Sequence, residues 1–426
     1  MSGPLNGIRI ADMTMNVLGP YGSQILGDMG ADIIKIEPPE GDTLRGIGPC
    51  RHKGMGPYFL NLNRNKRSLA LDLKKPEGKA VLDRILETVD VLIFSFRPKA
   101  MARLGLSYEE VAARNSRIIY CGASGFGQNG PYADRPAYDD LIQAAVGLPA
   151  LQARKTDEPV YVAAAIADRV VGMALSSAVG MALYHREKTG RGQAIEIPMF
   201  ETMTEFVMGD HLYGATFEPP LSRPGYVRMI NPERRPYRTR DGHIGVLVYN
   251  DKHWRRFFEL IDRPDMAADP RYTSIAGRTE HIEYLYGFLA ETFATKTTRE
   301  WEELLERADI PAIALATPDD LLNDPHLDAV GFFQTIDHPT EGRIRTMAVP
   351  QRWSESQPDI RRPAPTIGEH TREILLEVGF TQDGAESLIE AGIARGRNDR
   401  SVARDVEVRG PSHTNCNELI SREPSC

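Results

Sequence analysis

Residues 162–200 read VAAAIADRVVGMALSSAVGMALYHREKTGRGQAIEIPMF. A run of small residues leads to one carboxylate, Asp168. Sixteen residues of small and apolar character follow at helical spacing, then a basic glycine turn, then an apolar strand. This order predicts a long helix that starts near Asp168 and packs against a sheet. Asp at a helix start has an ordinary explanation, an N-cap whose side-chain oxygen accepts an orphan backbone N–H. It also has a chemical one. A helix N-terminus favours an anion, and a carboxylate held there, expected to be ionised at neutral pH, can attack an activated acyl carbon. The two readings are compatible.

Upstream, strand and helix signals alternate. Residues 8–13, 32–37, 68–73, 91–96 and 118–123 read as strands, with helical patterns between them. The spacing predicts an α/β fold with a parallel sheet covered on both faces. Two long Gly- and Pro-rich stretches, 41–65 and 122–134, read as functional or mobile loops. Downstream, a helix is expected to about residue 212, then a proline- and arginine-rich crossover over 218–240. Asp241-Gly242 between strand-like runs signals a hairpin. Helices are expected over 251–261, 277–296 and 299–308, a short strand over 310–316, irregular strands over 332–353 and a helical pair over 368–393. The domain plan is a large domain beginning with 1–224, a smaller α+β domain over 225–325, a return to the large domain over 326–394 and a disordered tail over 395–426.

The chain has 426 residues, 41% apolar and 26% charged, with net charge −8. That balance argues against bulk nucleic-acid binding. No uninterrupted apolar run of about 18 residues occurs, so no membrane span is expected. Cys50, Cys121, Cys416 and Cys426 lack paired spacing, which suits a reducing cytoplasm. The histidines form no HxH or HExxH pattern, so no metal site is expected. No GxGxxG follows the first strand, and no P-loop or G-x-S-x-G elbow is present.

Basic side chains gather near the expected strand ends: Arg45 in GDTLR, the NRNKRS segment at 63–68, Lys74 and Lys75, and Arg97, Lys99 and Arg103. Each is read either as solvated surface or as a basic rim for a phosphorylated ligand at the carboxyl ends of parallel strands. The segment GFGQNG at 125–130 is read as an anion-cradling nest or a turn. AYDD at 137–140 is read as a helix start.

Five motifs in order carry a family resemblance: GPYGSQILGDMGADIIKIEPPEGDTLR, NRNKRSLALDLKKPEGK, DVLIFSFRP, GFGQNGPYADRPAYDDLIQAAVGL, and the block from Ala167-Asp168 to GRGQAIEIPMFE. Over roughly 5–395 the chain resembles the class III CoA-transferases, relatives of the α-methylacyl-CoA racemases. The resemblance implies a Rossmann-like large domain, a small domain and two chains interlocked as rings in a homodimer. It implies Asp168 as the catalytic nucleophile. It implies coenzyme A contacts from Leu71, Asp72, Leu73 and Lys74, from Phe96, Arg97 and Arg103, and from Ala137, Tyr138, Asp139 and Asp140. Backbone N–H groups near Gly125, Gly127 and Gln128 are the expected oxyanion donors. Coenzyme A acts as the substrate carrier, with no tightly bound cofactor, and the partners are an acyl-CoA and a carboxylic acid. Ser95 stands where such transferases often carry Asn, and Val17 replaces the first-loop glutamine of the oxalate enzyme. Tyr138 replaces the racemase histidine, and tyrosine is a poor base at neutral pH, which favours transfer. The alternatives are a racemase or isomerase of the same fold, and a non-catalytic acyl-CoA-binding protein.

Overall fold

A computed structural model describes residues 3–397. Six parallel strands form its main sheet: β1 (Arg9–Met13), β2 (Asp32–Glu37), β3 (Lys66–Leu71), β4 (Val91–Phe94), β5 (Ile119–Ser124) and β6 (Gln193–Pro198). They lie in the order β3-β2-β1-β4-β5-β6, with Ala394–Arg395 added antiparallel outside β3. This is the doubly wound order. The strand order reverses between β1 and β4, the place where sheets of this order bind ligands beyond the carboxyl ends of their strands.

Alternation along each strand explains why both faces are covered. Ala11, Ile34 and Leu92 point into one core with Val81, Ile85, Ile374 and Leu375. Their neighbours Ile10, Ile33 and Ile93 point into the other, with Leu26, Val171, Leu175 and Val179. The expected parallel sheet is therefore present, and its strands are buried on both sides.

The long helix runs Ile166–Thr189 and ends on Gly190, whose φ of 75° suits a residue without a side chain. It is the one helix among the described residues long and apolar enough to cross a membrane. Its Val171, Leu175 and Val179 face lies in the protein core. Against it packs Leu18–Asp28, the helix that follows β1. Two glycines set the distance between them. A Cβ on Gly22 would sit 2.8 Å from the Gly172 carbonyl oxygen, and one on Gly172 would sit 2.7 Å from that of Leu18. The backbones thus approach as closely as they do only because both positions lack side chains.

Met199–His211 follows β6 as a helix. A separate core draws on residues between Tyr237 and Ile310, centred on Trp254, Phe257, Phe293 and Trp301. Its sheet has three antiparallel strands, Tyr237–Arg238, His243–Val246 and Ala312–Ala314, with Asp241-Gly242 in the first turn as expected. The chain then forms the hairpin Phe333–His338 and Gly342–Met347, and the helices Thr371–Glu377 and Gln382–Glu390.

Several expectations need correction. β3 starts at Lys66, two residues before the apolar run, because Lys66 and Arg67 register against Ile33 and Ile34. Arg45, Arg64, Lys66 and Arg67 are buried and form neither a solvated surface nor a ligand rim. Arg45 pairs with Glu37, Arg64 with Asp28, Lys66 with Asp12, and Arg67 with Asp32. The stretch 41–65 is anchored by those pairs and contains the short helix Pro57–Leu60. Arg395, assigned to the tail by composition, pairs with Ala70. The tail over 398–426, with Cys416 and Cys426, lies outside the described residues.

Candidate active site

Asp168 is the third residue of the long helix, not its cap. Ala165 occupies the cap position, and no side chain caps that end. The cap's work is done from outside. The Asp168 N–H donates to Asp139 Oδ2 at 3.0 Å. The other oxygen of Asp139 accepts from Gln143 Nε2 at 2.6 Å. Gln143 is wholly buried, and its Oε1 accepts from the Val162 N–H at 3.0 Å. Asp139 and Gln143 sit one turn apart on the helix Asp139–Ala145. Together they clamp the approach to the long helix and fix where Asp168 stands.

The Asp168 carboxylate is half-buried, and among the described residues it accepts no hydrogen bond and forms no ion pair. Burial pushes its pKa up to about 7, the negative charge of Asp139 adds to the rise, and Arg169 opposes it. This corrects the expectation of a fully ionised group, because near neutral pH protonated and ionised forms coexist. Such a carboxylate is more basic than an ordinary one and poorly solvated, both of which favour nucleophilic attack.

The implied coenzyme A contacts fall into two groups. Leu71 is buried in the main core and pairs with Ala394, so its side chain faces the protein interior. Leu73 packs partly on the same core. Asp72 turns back to accept from the Lys74 N–H at 3.0 Å. Lys74 itself is exposed, as are Arg97 and Arg103, which bracket the short helix Pro98–Arg103 beyond β4. Phe96 is 38% exposed and Tyr138 is 66% exposed. These side chains lie at the strand ends where the doubly wound order opens. Asp140 is exposed in the first turn of its helix. Asp139, implied as a coenzyme A contact, turns instead toward the Asp168 backbone.

Gly125, Gly127 and Gln128 do form an anion cradle, but it is filled from within. The Gly127 N–H donates to Glu201 Oε1 at 3.0 Å, and the Gln128 N–H donates to Glu196 Oε1 at 2.8 Å. These amides therefore do not point free donors at an oxyanion. Gly125 lies against Ala137, where a Cβ would come within 2.3 Å of the alanine methyl. Sequence reasoning missed both glutamates because tertiary placement brings them to the loop: Glu196 by the β5–β6 register, beside Gly122, and Glu201 from the first turn of the helix that follows β6. It also passed over Arg169, although that residue adjoins Asp168 in the chain. No group of three or more His, Cys, Asp or Glu side chains able to hold a metal occurs among the described residues.

Comparison with known proteins shows the family. The sequence profile of CoA-transferase family III matches residues 5–371. The succinyl-CoA:glutarate CoA-transferase of Mus musculus is 29% identical over 395 residues, 92% of this chain and 90% of its own. The succinate–glutarate CoA-transferase of Agrobacterium fabrum is 31% identical over 386 residues, 88% of this chain and 96% of its own. Among solved structures, Rv3272 of Mycobacterium tuberculosis superposes with a TM-score of 0.76 at 29% identity, covering 87% of this chain and 98% of that one. A chain with this sheet order, this placed aspartate and a profile match of that length belongs to CoA-transferase family III and is a CoA-transferase.

Proposed function

We propose that this enzyme moves coenzyme A from an acyl-CoA donor to a carboxylic acid by way of Asp168. The observation that carries the reading is a half-buried carboxylate with its pKa raised to about 7 and no donor side chain to quench it. In the first step an Asp168 oxygen attacks the thioester carbonyl. The C–S bond breaks, coenzyme A leaves as thiolate, and a mixed anhydride remains. The thiolate attacks the aspartyl carbonyl, releasing the donor acid and forming an aspartyl thioester. The acceptor carboxylate then attacks that carbonyl, expelling thiolate and forming a second anhydride. Thiolate attack on the acceptor carbonyl gives the new acyl-CoA and frees Asp168.

Coenzyme A must stay bound while its sulfur leaves and returns, which makes each return attack effectively intramolecular. Exposed Lys74, Arg97 and Arg103 at the strand ends suit its phosphates. Relatives that act on succinyl and glutaryl groups favour a dicarboxylic acid as substrate. We further propose that the working unit is a homodimer, interlocked as the family resemblance implies. In support, the long helix exposes Met181 at 68% and Tyr184 at 66% along its outer face, an apolar stripe that a second copy would cover. Sedimentation at micromolar concentration should give twice the chain mass, and a monomer would refute it.

The chemistry is tested by incubating the enzyme with succinyl-CoA, adding hydroxylamine and mapping the modified peptide. A hydroxamate on Asp168 is expected, together with loss of transfer in Asp168→Asn. An Asp168→Asn enzyme that transfers coenzyme A at the parent rate would overturn the reading.

A further inference from the structure

Buried or half-buried arginines in the large sheet domain are neutralised by carboxylates: Arg45 by Glu37, Arg64 by Asp28, Arg67 by Asp32 and Arg186 by Asp90. Arg169 is treated differently. It is half-buried, and among the described residues its guanidinium meets no carboxylate and no hydrogen-bond acceptor. What it meets is a ring. Its central carbon lies 4.4 Å from the centroid of Tyr21. Such stacking covers the flat face of the guanidinium and leaves the N–H groups along its edge free for a planar anion.

The fold fixes this arrangement beside the nucleophile. Arg169 follows Asp168 in the first turn of the long helix. Tyr21 comes from the helix after β1, one residue before Gly22, where the two helices touch through their glycines. A Cβ on Gly172 would lie 3.0 Å from Tyr21 Cδ1, so the ring is held against the long helix one turn beyond Arg169. Tyr21 and Ala165 pack on a small apolar cluster of Val17, Leu44, Phe59 and Leu62. The positive charge of Arg169 also reaches the Asp168 carboxyl, where it offsets part of the rise in pKa. One guanidinium without a carboxylate partner thus adjoins Asp168 in the chain and stacks on a ring that itself packs on an apolar cluster.

We propose that Arg169, backed by Tyr21, anchors the far carboxylate of a dicarboxylic acyl group while the near carboxyl carbon reacts at Asp168. A bidentate guanidinium–carboxylate pair fixes the orientation as well as the charge. A monocarboxylic acyl group of the same length leaves the guanidinium unpaired and binds less well. This inference rests on the transfer chemistry and the dicarboxylic substrate proposed above and adds the residue that would hold the far carboxylate.

The test compares glutaryl-CoA with pentanoyl-CoA, two donors of equal chain length that differ at the far end. Rates of aspartyl hydroxamate formation in the presence of hydroxylamine give kcat/KM for each with the parent, Arg169→Gln and Arg169→Lys enzymes. The parent prefers glutaryl-CoA. Arg169→Gln lowers that preference by roughly 10- to 100-fold, through the KM of glutaryl-CoA. Arg169→Lys gives a smaller loss, because an ammonium keeps the charge and loses the fork. Any general slowing cancels in the ratio. A preference unchanged in both variants, or both donors slowed alike, overturns the role of Arg169 and leaves the Asp168 chemistry intact. A parent enzyme that traps no aspartyl ester from either donor removes the transfer reading and this inference with it.

Discussion

Two aspartates of the same doubly wound domain have opposite fates. Asp12, on β1, is wholly buried. Burial on its own would raise its pKa, but Lys66, Lys35 and the hydroxyls of Ser23 and Thr14 outweigh it and hold the carboxyl at about 2. Asp168 is less buried, receives no such partners and faces the negative charge of Asp139, so its pKa rises to about 7. Depth of burial therefore does not decide reactivity. Partnership does. A carboxylate whose lone pairs are all engaged serves the fold, whereas one left unpartnered retains basicity for chemistry.

The surroundings of Asp12 show how complete the first kind of site is. Lys66 Nζ reaches Asp12 at 3.2 Å, the Pro20 carbonyl at 2.9 Å and Asn63 Oδ1 at 3.0 Å. Lys35 reaches Asp42 at 2.8 Å, and Glu37 receives Arg45 and Ser68. Burial pushes the Lys66 ammonium down to about 8 despite the attraction of Asp12, with Lys35 adding repulsion.

The contrast is broken most severely by Asp168→Asn. Transfer activity should fall by about 1,000-fold or more, as expected for loss of a covalent nucleophile, measured by coenzyme A exchange. Two stability effects come next. Lys66→Met leaves Asp12 buried without its main cation and should cost about 3–5 kcal/mol, read from the urea midpoint; a loss under about 1 kcal/mol would show that the network is redundant. Asp168→Asn should act in the opposite direction. The folded pKa of Asp168, about 7, lies above its ordinary 3.8. Below roughly pH 4 both folded and unfolded chains hold the proton, and the group costs nothing. As pH rises toward 7 the unfolded chain loses the proton first, so stability declines, by an amount on the order of 4 kcal/mol once above 7. Asparagine escapes that decline, so the variant should be more stable than the parent at pH 8 and equal to it at pH 4. Equal stability at both would mean that Asp168 is ordinarily solvated.

Smaller changes sharpen the comparison. Asp139→Asn keeps an oxygen for the Asp168 N–H while removing the charge. The rise of trapped ester with pH should then shift to lower pH, and an unmoved midpoint would exclude Asp139 as a cause of the raised pKa. At the bottom of the scale, Lys99→Ala removes an ion pair with Asp134 whose side chains are 70% and 65% exposed. Solvent screening should leave the thermal unfolding midpoint unchanged.

Much of this was readable before the fold. The alternation of apolar strands with helices gave the parallel sheet, and the glycine-ended helix after Asp168 appeared where its spacing placed it. The motif order pointed to Asp168 as the candidate nucleophile. The basic segments were misread for one physical reason. The partners of Arg45, Arg64, Lys66 and Arg67 lie on other elements, with Asp28 and Asp12 tens of residues away. Nothing in NRNKRS distinguishes a solvated lysine from one paired across a sheet. The glycine loop was misread likewise, since its amides turned out to be met by Glu196 on β6 and Glu201 on the helix after it.

The sequence by itself determined the elements and their order, because periodicity, caps and turn residues act over a few positions, and its motifs singled out Asp168 through the family resemblance. Tertiary structure alone decided which charges are neutralised and which are left open. That depends on distances between residues far apart in the chain, on two glycines that let helices meet, and on how much water each carboxylate keeps.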